Sequence, residues 1–285
     1  MTACFKEIKA LRMQVQAWRR QGESIAFVPT MGNLHAGHLR LVQAAKVRAD
    51  RVVVSIFVNP TQFGAGEDLA SYPRTEQEDV HKLQTQAVDA VFMPSVQEMY
   101  PDFGAALTTV SVKQVSENYC GAVRPGHFEG VATVVTKLFN IVQADFAFFG
   151  EKDFQQLAVI RTMVVDLNMP VEIVAVPTER EPDGLAMSSR NTYLTTLQRR
   201  QAPQLYQALC AAKNAILDAR LSYDVIERQF QQTLKQQGFA PDYFSICRRS
   251  DLQAATSADS ELVILVAARL GTTRLIDNIQ VDCVH

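Results

Sequence analysis

The chain has 285 residues, 47% of them hydrophobic, with 28 Lys and Arg against 30 Asp and Glu, a formal net charge of −2. That length allows one large domain or two smaller ones around a sizeable core, and the scattered charges exclude a nucleic-acid-binding stripe. Five dispersed cysteines without a CxxC pair exclude a disulfide framework or zinc site, and no apolar run reaches the ~20 residues of a membrane span, so a soluble cytoplasmic protein is expected.

Residues 25–28 form a short apolar run, and residues 39–49 carry Leu39, Val42 and Lys46 at helical steps. Residues 52–58 are a denser, β-branched run. A polar stretch leads to an expected helix over about 74–86 and a strand over 90–93. A helix over 131–142, a strand over 146–149, a helix over 154–166 and a strand over 171–176 follow. Apolar strands alternating with helices indicate βαβ units and a parallel sheet. After Asp183-Gly184 the pattern changes to two helices, 198–220 and 223–237, and three extended segments, 243–248, 262–268 and 273–279. Such grouping suits a small α+β domain. The charged stretch Glu179-Arg180-Glu181-Pro182-Asp183-Gly184 reads as the join. The expected fold is therefore α/β: a Rossmann-like parallel-sheet domain over 1–182, followed by a smaller α+β domain over 183–285.

Five stretches could carry chemistry. Pro29-Thr30-Met31-Gly32-Asn33-Leu34-His35-Ala36-Gly37-His38 stands where a first strand ends and a helix begins, a position that offers free N–H groups to phosphate. Two histidines three apart lie on one side of such a helix start, and Gly37 between them lets a ligand approach closely. Neither GxxxxGK[ST] nor a complete GxGxxG is present, so a P-loop and a nicotinamide site lack support. Asn59-Pro60-Thr61-Gln62 follows the second strand and offers uncharged donors and acceptors. Arg124-Pro125-Gly126-His127 opens a later helix with a cation and an imidazole. Gly150-Glu151-Lys152-Asp153 follows another strand, with Gln155-Gln156 in the next turn, and its lysine is placed to reach phosphate. Met187-Ser188-Ser189-Arg190 combines hydroxyls with a guanidinium, a composition fit for a phosphate clamp.

In this order, PTMGNLHAGH at 29–38, SIFVNPTQFG at 55–64, RPGHFEGV at 124–131, FFGEKDFQQL at 148–157 and DGLAMSSRN at 183–191 resemble the pantoate–β-alanine ligase family. This family belongs to the adenylyl-transferring superfamily with an HxGH motif and a serine-rich counterpart of the KMSKS loop. The resemblance implies condensation of pantoate with β-alanine through a pantoyl-adenylate, using ATP with magnesium on its phosphates, in a homodimer. It implies that residues 29–38, Gly150, Glu151, Lys152, Asp153, Met187, Ser188, Ser189 and Arg190 surround ATP, with His35, His38 and Lys152 catalytic. Gln62 and Gln156 would hold pantoate, with Asn59, His127 and Arg124 nearby. Glu179 stands where the family has an apolar residue whose backbone meets the nucleotide. Two other readings stay open: a nucleotidyltransferase of the same superfamily, and a non-catalytic ATP-binding module.

Overall fold

The structure, a computed structural model, describes residues 2–103 and 107–283; positions 1, 104–106, 284 and 285 of the expected domains lie outside them. Among the described residues a six-stranded sheet is built from β1 (Ala3–Phe5), β2 (Ile25–Thr30), β3 (Arg51–Ile56), β4 (Ala90–Phe92), β5 (Phe146–Gly150) and β6 (Glu172–Val176). Its order is β1-β4-β3-β2-β5-β6 and every pairing is parallel. From β2 the chain steps one way to β3 and β4 and the other way to β5 and β6. That reversal is the switch point of a doubly wound sheet, and ligands of such sheets bind beyond the strand ends there.

The helices are α1 (Ile8–Arg20), α2 (Ala36–Arg48), α3 (Glu76–Thr85), α4 (Val96–Met99), α5 (Cys120–Val123), α6 (His127–Val142), α7 (Phe154–Asp166), α8 (Thr196–Gln201), α9 (Gln204–Leu217) and α10 (Tyr223–Gln236). None among the described residues is long and apolar enough to cross a membrane. Ile25, Ala26, Phe27 and Val28 of β2 are fully buried, as a strand covered on both faces requires. Leu41, Val42 and Ala45 of α2 pack with Val52 and Val54 of β3 and Phe148 of β5. β1 and α1 were not anticipated, although Leu11, Val15 and Trp18 give α1 an apolar face at helical spacing.

The chain gathers into two compact units. The first comprises Met1–Lys113, Arg124–Glu151 and Val159–Pro177 and holds the parallel sheet; the second comprises Gln114–Val123, Lys152–Ala158 and Thr178–His285. This partition differs from a single cut after residue 182. The Glu179–Gly184 stretch is no open join but part of a tight hairpin inside the second unit. Arg180 pairs with Ala186, the Glu181 amide donates to the Leu185 carbonyl at 2.8 Å, and the Gly184 amide to Glu181 at 2.8 Å. Its charges are used internally. Arg180 makes two hydrogen bonds, 2.7 and 2.9 Å, to the buried Asp277 carboxylate and lies 3.6 Å above the Tyr206 ring.

In the second unit β7 (Ala240–Arg248), β8 (Glu261–Leu270) and β9 (Thr273–Asp282) form an antiparallel sheet in that order. Leu205, Leu209 and Ile216 of α9 and Ile226, Phe230 and Leu234 of α10 cover it. The expected helix over 198–220 is two helices, because Pro203 has no N–H for a continuous ladder. The early segment Gln114–Val123 is sewn to this sheet. The Tyr119 hydroxyl donates to the Leu252 carbonyl at 2.9 Å, and the Cys247 thiol donates to that hydroxyl at 3.0 Å. Cys120 Sγ lies 2.9 Å from the Tyr243 hydroxyl, and Gln155 holds the Cys120 amide and the Val115 and Asn118 carbonyls. Burial pushes the Cys247 thiol up to about 12.

Candidate active site

The end of β2 turns sharply before α2 begins. Gly32 and Asn33 both adopt left-handed backbone, φ 81° and 50°, and a Cβ at Gly32 would meet Asp79 Oδ2 and Ile56 Cγ2 at 3.1 Å. Glycine is therefore favoured there on two counts. Thr30 Oγ1 donates to the Ser55 carbonyl at 2.7 Å and accepts from the Gly32 amide at 3.2 Å, locking the strand end. His35 is the N-cap of α2 and His38 lies in its first turn, with ring centroids 4.1 Å apart. The His35 amide donates to His38 Nδ1 at 3.3 Å. With Nδ1 accepting, a neutral His38 carries its proton on Nε2, which makes that nitrogen a donor. Ala36 is exposed and Gly37 partly so, as is Pro29 in β2. Leu34 belongs to the core instead, and the Asn33 and Leu34 amides are occupied by the Asp79 carboxylate at 2.8 and 2.7 Å.

A second group forms around Gln62, which lies in the 3-10 turn Pro60–Gln62 after β3. Asn59 is 1% exposed and fully engaged. Its Nδ2 donates to Gln62 Oε1 at 3.0 Å and to the Gly130 carbonyl at 3.1 Å, and its Oδ1 accepts from the Tyr100 hydroxyl at 2.9 Å and Thr61 Oγ1 at 3.0 Å. Asn59 thus orients Gln62 rather than presenting a free amide. With Gln62 Oε1 held as acceptor, its Nε2 is the remaining donor, and it lies 3.2 Å from Met31 Sδ. His127 and Arg124 act beneath the same turn. Arg124 donates from Nη1 to His127 Nε2 at 2.9 Å, so His127 Nδ1 carries the proton given to the Gln62 carbonyl at 2.9 Å. Arg124 is also paired with Glu67 at 2.6 and 2.7 Å, which lowers the Glu67 carboxyl below its usual range. The expected cation at 124 is thereby neutralised locally. Sequence reasoning missed Asp79, Tyr100 and Gly130, whose partners lie 41 to 71 residues away; nothing local signals them.

In the second unit, Lys152 and Asp153 follow the end of β5, with Lys152 Nζ 3.8 Å from Asp153. The Lys152 carbonyl accepts from the Asn278 side chain at 3.0 Å. Glu151, the last residue of the first unit's second segment, is partly buried, as is Gln156, whereas Gln155 is buried and committed to the 115–120 segment. The hairpin delivers the serine-rich turn. The Met187 amide donates to the Glu179 carbonyl at 3.0 Å, the Asn191 side chain donates to Ala186 at 3.0 Å, and Ser188 Oγ accepts from the Arg190 amide at 3.3 Å. Met187, Ser188, Ser189 and Arg190 are all partly exposed. The Glu179 carbonyl is used by the hairpin, so its side chain has no part in that bond.

A doubly wound sheet whose first central strand runs into an HxGH helix start is an α/β architecture that offers imidazole donors to a ligand at its switch point. The family model for pantoate-β-alanine ligase matches residues 3–280, and the chain belongs to that family. It is 56% identical over 274 residues to a pantothenate synthetase of Alteromonas mediterranea, covering 96% of this chain and 97% of that one. Among solved structures it is similar to a pantothenate synthetase from Thermus thermophilus, at TM-score 0.90 and 45% identity, covering 98% of this chain and 99% of that one. It is also similar to a pantoate-β-alanine ligase from Francisella tularensis complexed with βγ-ATP and β-alanine, at TM-score 0.83 and 34% identity over 98% and 97%.

Proposed function

We propose the following course for the reaction this ligase carries out. The chain condenses pantoate with β-alanine, driven by ATP. In the first step a pantoate carboxylate oxygen attacks the α-phosphorus in line and the bond to pyrophosphate breaks. In the second, the β-alanine nitrogen attacks the acyl carbon, loses a proton, and AMP departs. Neither step needs a nucleophile from the protein, so positioning and stabilisation of charge do the catalysis.

One observation carries the reading. Within the first unit, Met31 joins the His35–His38 helix start to the oriented Gln62 amide through its sulfur, 3.2 Å from Gln62 Nε2. A hydroxy acid held by that amide would lie beside the place where two imidazoles meet phosphate. In this reading His38 Nε2 donates to charge developing at the α-phosphate, with His35 beside it. Lys152, Ser188, Ser189 and Arg190 neutralise the departing phosphates, Gln156 joins Gln62 on pantoate, and Asp153 and the 150–151 backbone line the nucleotide. The adenylate has to be kept from water until the amine arrives. Among the described residues no three His, Cys, Asp or Glu side chains are grouped to hold a metal; magnesium carried by the phosphate oxygens needs no such cage. A cytoplasmic homodimer completes the proposal.

Pantoate-dependent exchange of pyrophosphate into ATP, followed by amide formation and free AMP when β-alanine is added, is the expected result. AMP retained in the product would favour a nucleotidyltransferase, and nucleotide binding without exchange a non-catalytic module. His38→Ala and Lys152→Ala should each lower kcat of exchange by about 10²–10³. Unchanged exchange in either variant removes that residue from the mechanism.

A further inference from the structure

The Asp79 carboxylate is 0% exposed, and burying such a group is unfavourable unless donors surround it. Two of its three donors come from the turn between β2 and α2. Oδ2 accepts from the Asn33 amide at 2.8 Å and from Thr75 Oγ1 at 3.1 Å, and Oδ1 accepts from the Leu34 amide at 2.7 Å. Two successive left-handed residues, Gly32 and Asn33, turn these main-chain N–H groups into a small anion-binding concavity. The anion filling it is the protein's own. One turn further along α3, Lys82 Nζ donates to the Leu34 carbonyl at 2.9 Å. Helix α3 therefore grips the 32–34 backbone by both its donors and its acceptor, immediately before the N-cap His35.

We infer that Asp79 is a positioning residue for this ligase: through the Asn33 and Leu34 amides it sets where His35 and His38 stand against the nucleotide. This rests on the proposed ATP site. The turn between β2 and α2 has few residues, two in left-handed backbone, and its amides would otherwise seek water or substrate phosphate. Held by Asp79, they are removed from that competition and the helix start is fixed before ATP arrives. A displacement of about 1 Å at catalytic groups costs roughly 10²-fold in rate.

The test is Asp79→Asn, which keeps the shape but replaces one accepting oxygen with an NH2 group facing a backbone N–H. Pyrophosphate exchange is measured per competent site, counted by the stoichiometric pantoate-dependent burst. The expected result is a fall in kcat of about 10²-fold, with KM for pantoate within about twofold of wild type, since Gln62 does not depend on Asp79. A role confined to stability would lower the number of competent sites and leave kcat per site unchanged; that result overturns the inference. Thr75→Val, which removes one donor to Asp79, should give a smaller kcat loss of the same kind, and its normal kcat would overturn the inference even if Asp79→Asn does not fold. Wild-type protein without pantoate-dependent exchange refutes the ATP-site reading instead. In that case, hydrogen exchange of the 31–38 segment decides for Asp79: faster exchange confined to this segment in Thr75→Val or Asp79→Asn supports it, and an unchanged profile overturns it.

Discussion

Glu67 is the residue whose charge ties the substrate-side turn together. It holds Arg124, which holds His127, which holds the Gln62 carbonyl. Because the hydrogen bond to Arg124 lowers the Glu67 carboxyl in the folded protein, the carboxylate form is bound more strongly there than in the unfolded chain. The stabilisation is thus complete above the ordinary carboxyl range, at about 4.3, and is lost as pH falls through the lowered folded value. Glu67→Gln should lower the urea midpoint at pH 7, and the gap from wild type should narrow on acidification below about pH 4. A gap independent of pH would mean that the side chain acts through packing. The same variant should raise KM for pantoate, because Arg124 then lacks the partner that aims it at His127.

At the scale of elements, close approach decides the site. Helix α6 crosses the turn after β3 so tightly that a Cβ on Gly130 would fall 2.6 Å from the Thr61 carbonyl carbon and 2.7 Å from Gln62 Cα. Gly130→Ala should destabilise the protein by about 1–3 kcal/mol, the range for overpacking, read from denaturant midpoints. Since the displaced group is Gln62, pantoate KM should rise more than ATP KM; equal changes would refute the coupling. The hairpin of the second unit depends likewise on the pairing of half-buried Arg180 with the buried Asp277 carboxylate. Asp277→Ala should cost about 1–3 kcal/mol, because it leaves the half-buried Arg180 guanidinium with only the Gly184 and Asn278 carbonyls and the Tyr206 ring, whereas replacing both partners by apolar residues should recover most of that loss in thermal melts. Much of this architecture could be read from the chain. Dense apolar runs gave β2, β3, β5 and β6, and the HxGH stretch was legible as a strand-to-helix junction. Helix α1 carried a readable apolar spacing at Leu11, Val15 and Trp18 that the expected elements did not include. What could not be read was the use of polar groups by distant partners. Asn59 looked like a free amide because Tyr100 and Gly130 are remote in sequence, and Glu179 to Gly184 looked like a linker because Asp277 lies almost a hundred positions on.

On the scale of the whole molecule, the doubly wound order reverses beside β2, where the sheet's connections diverge and where ligands of such sheets bind. The second unit is assembled from three stretches of chain, with Tyr119 and Cys120 lodged against Tyr243 and Cys247 of β7 and against Leu252 in the connection to β8. A fragment starting at Thr178 would lack those plugs, leaving the Cys247 side of the sheet uncovered. Expressed alone, it should bind a hydrophobic dye and melt without a sharp transition, while adding a 114–123 peptide should partly restore cooperativity. A sharp, dye-free melt of the bare fragment would contradict this. Modularity in evolution is constrained by the same stitching. A single recombination event near Pro177 that brought in a relative's carboxy-terminal third would mismatch the resident 114–123 and 152–158 pieces, so functional chimeras must exchange all three stretches or preserve the residues that interlock them.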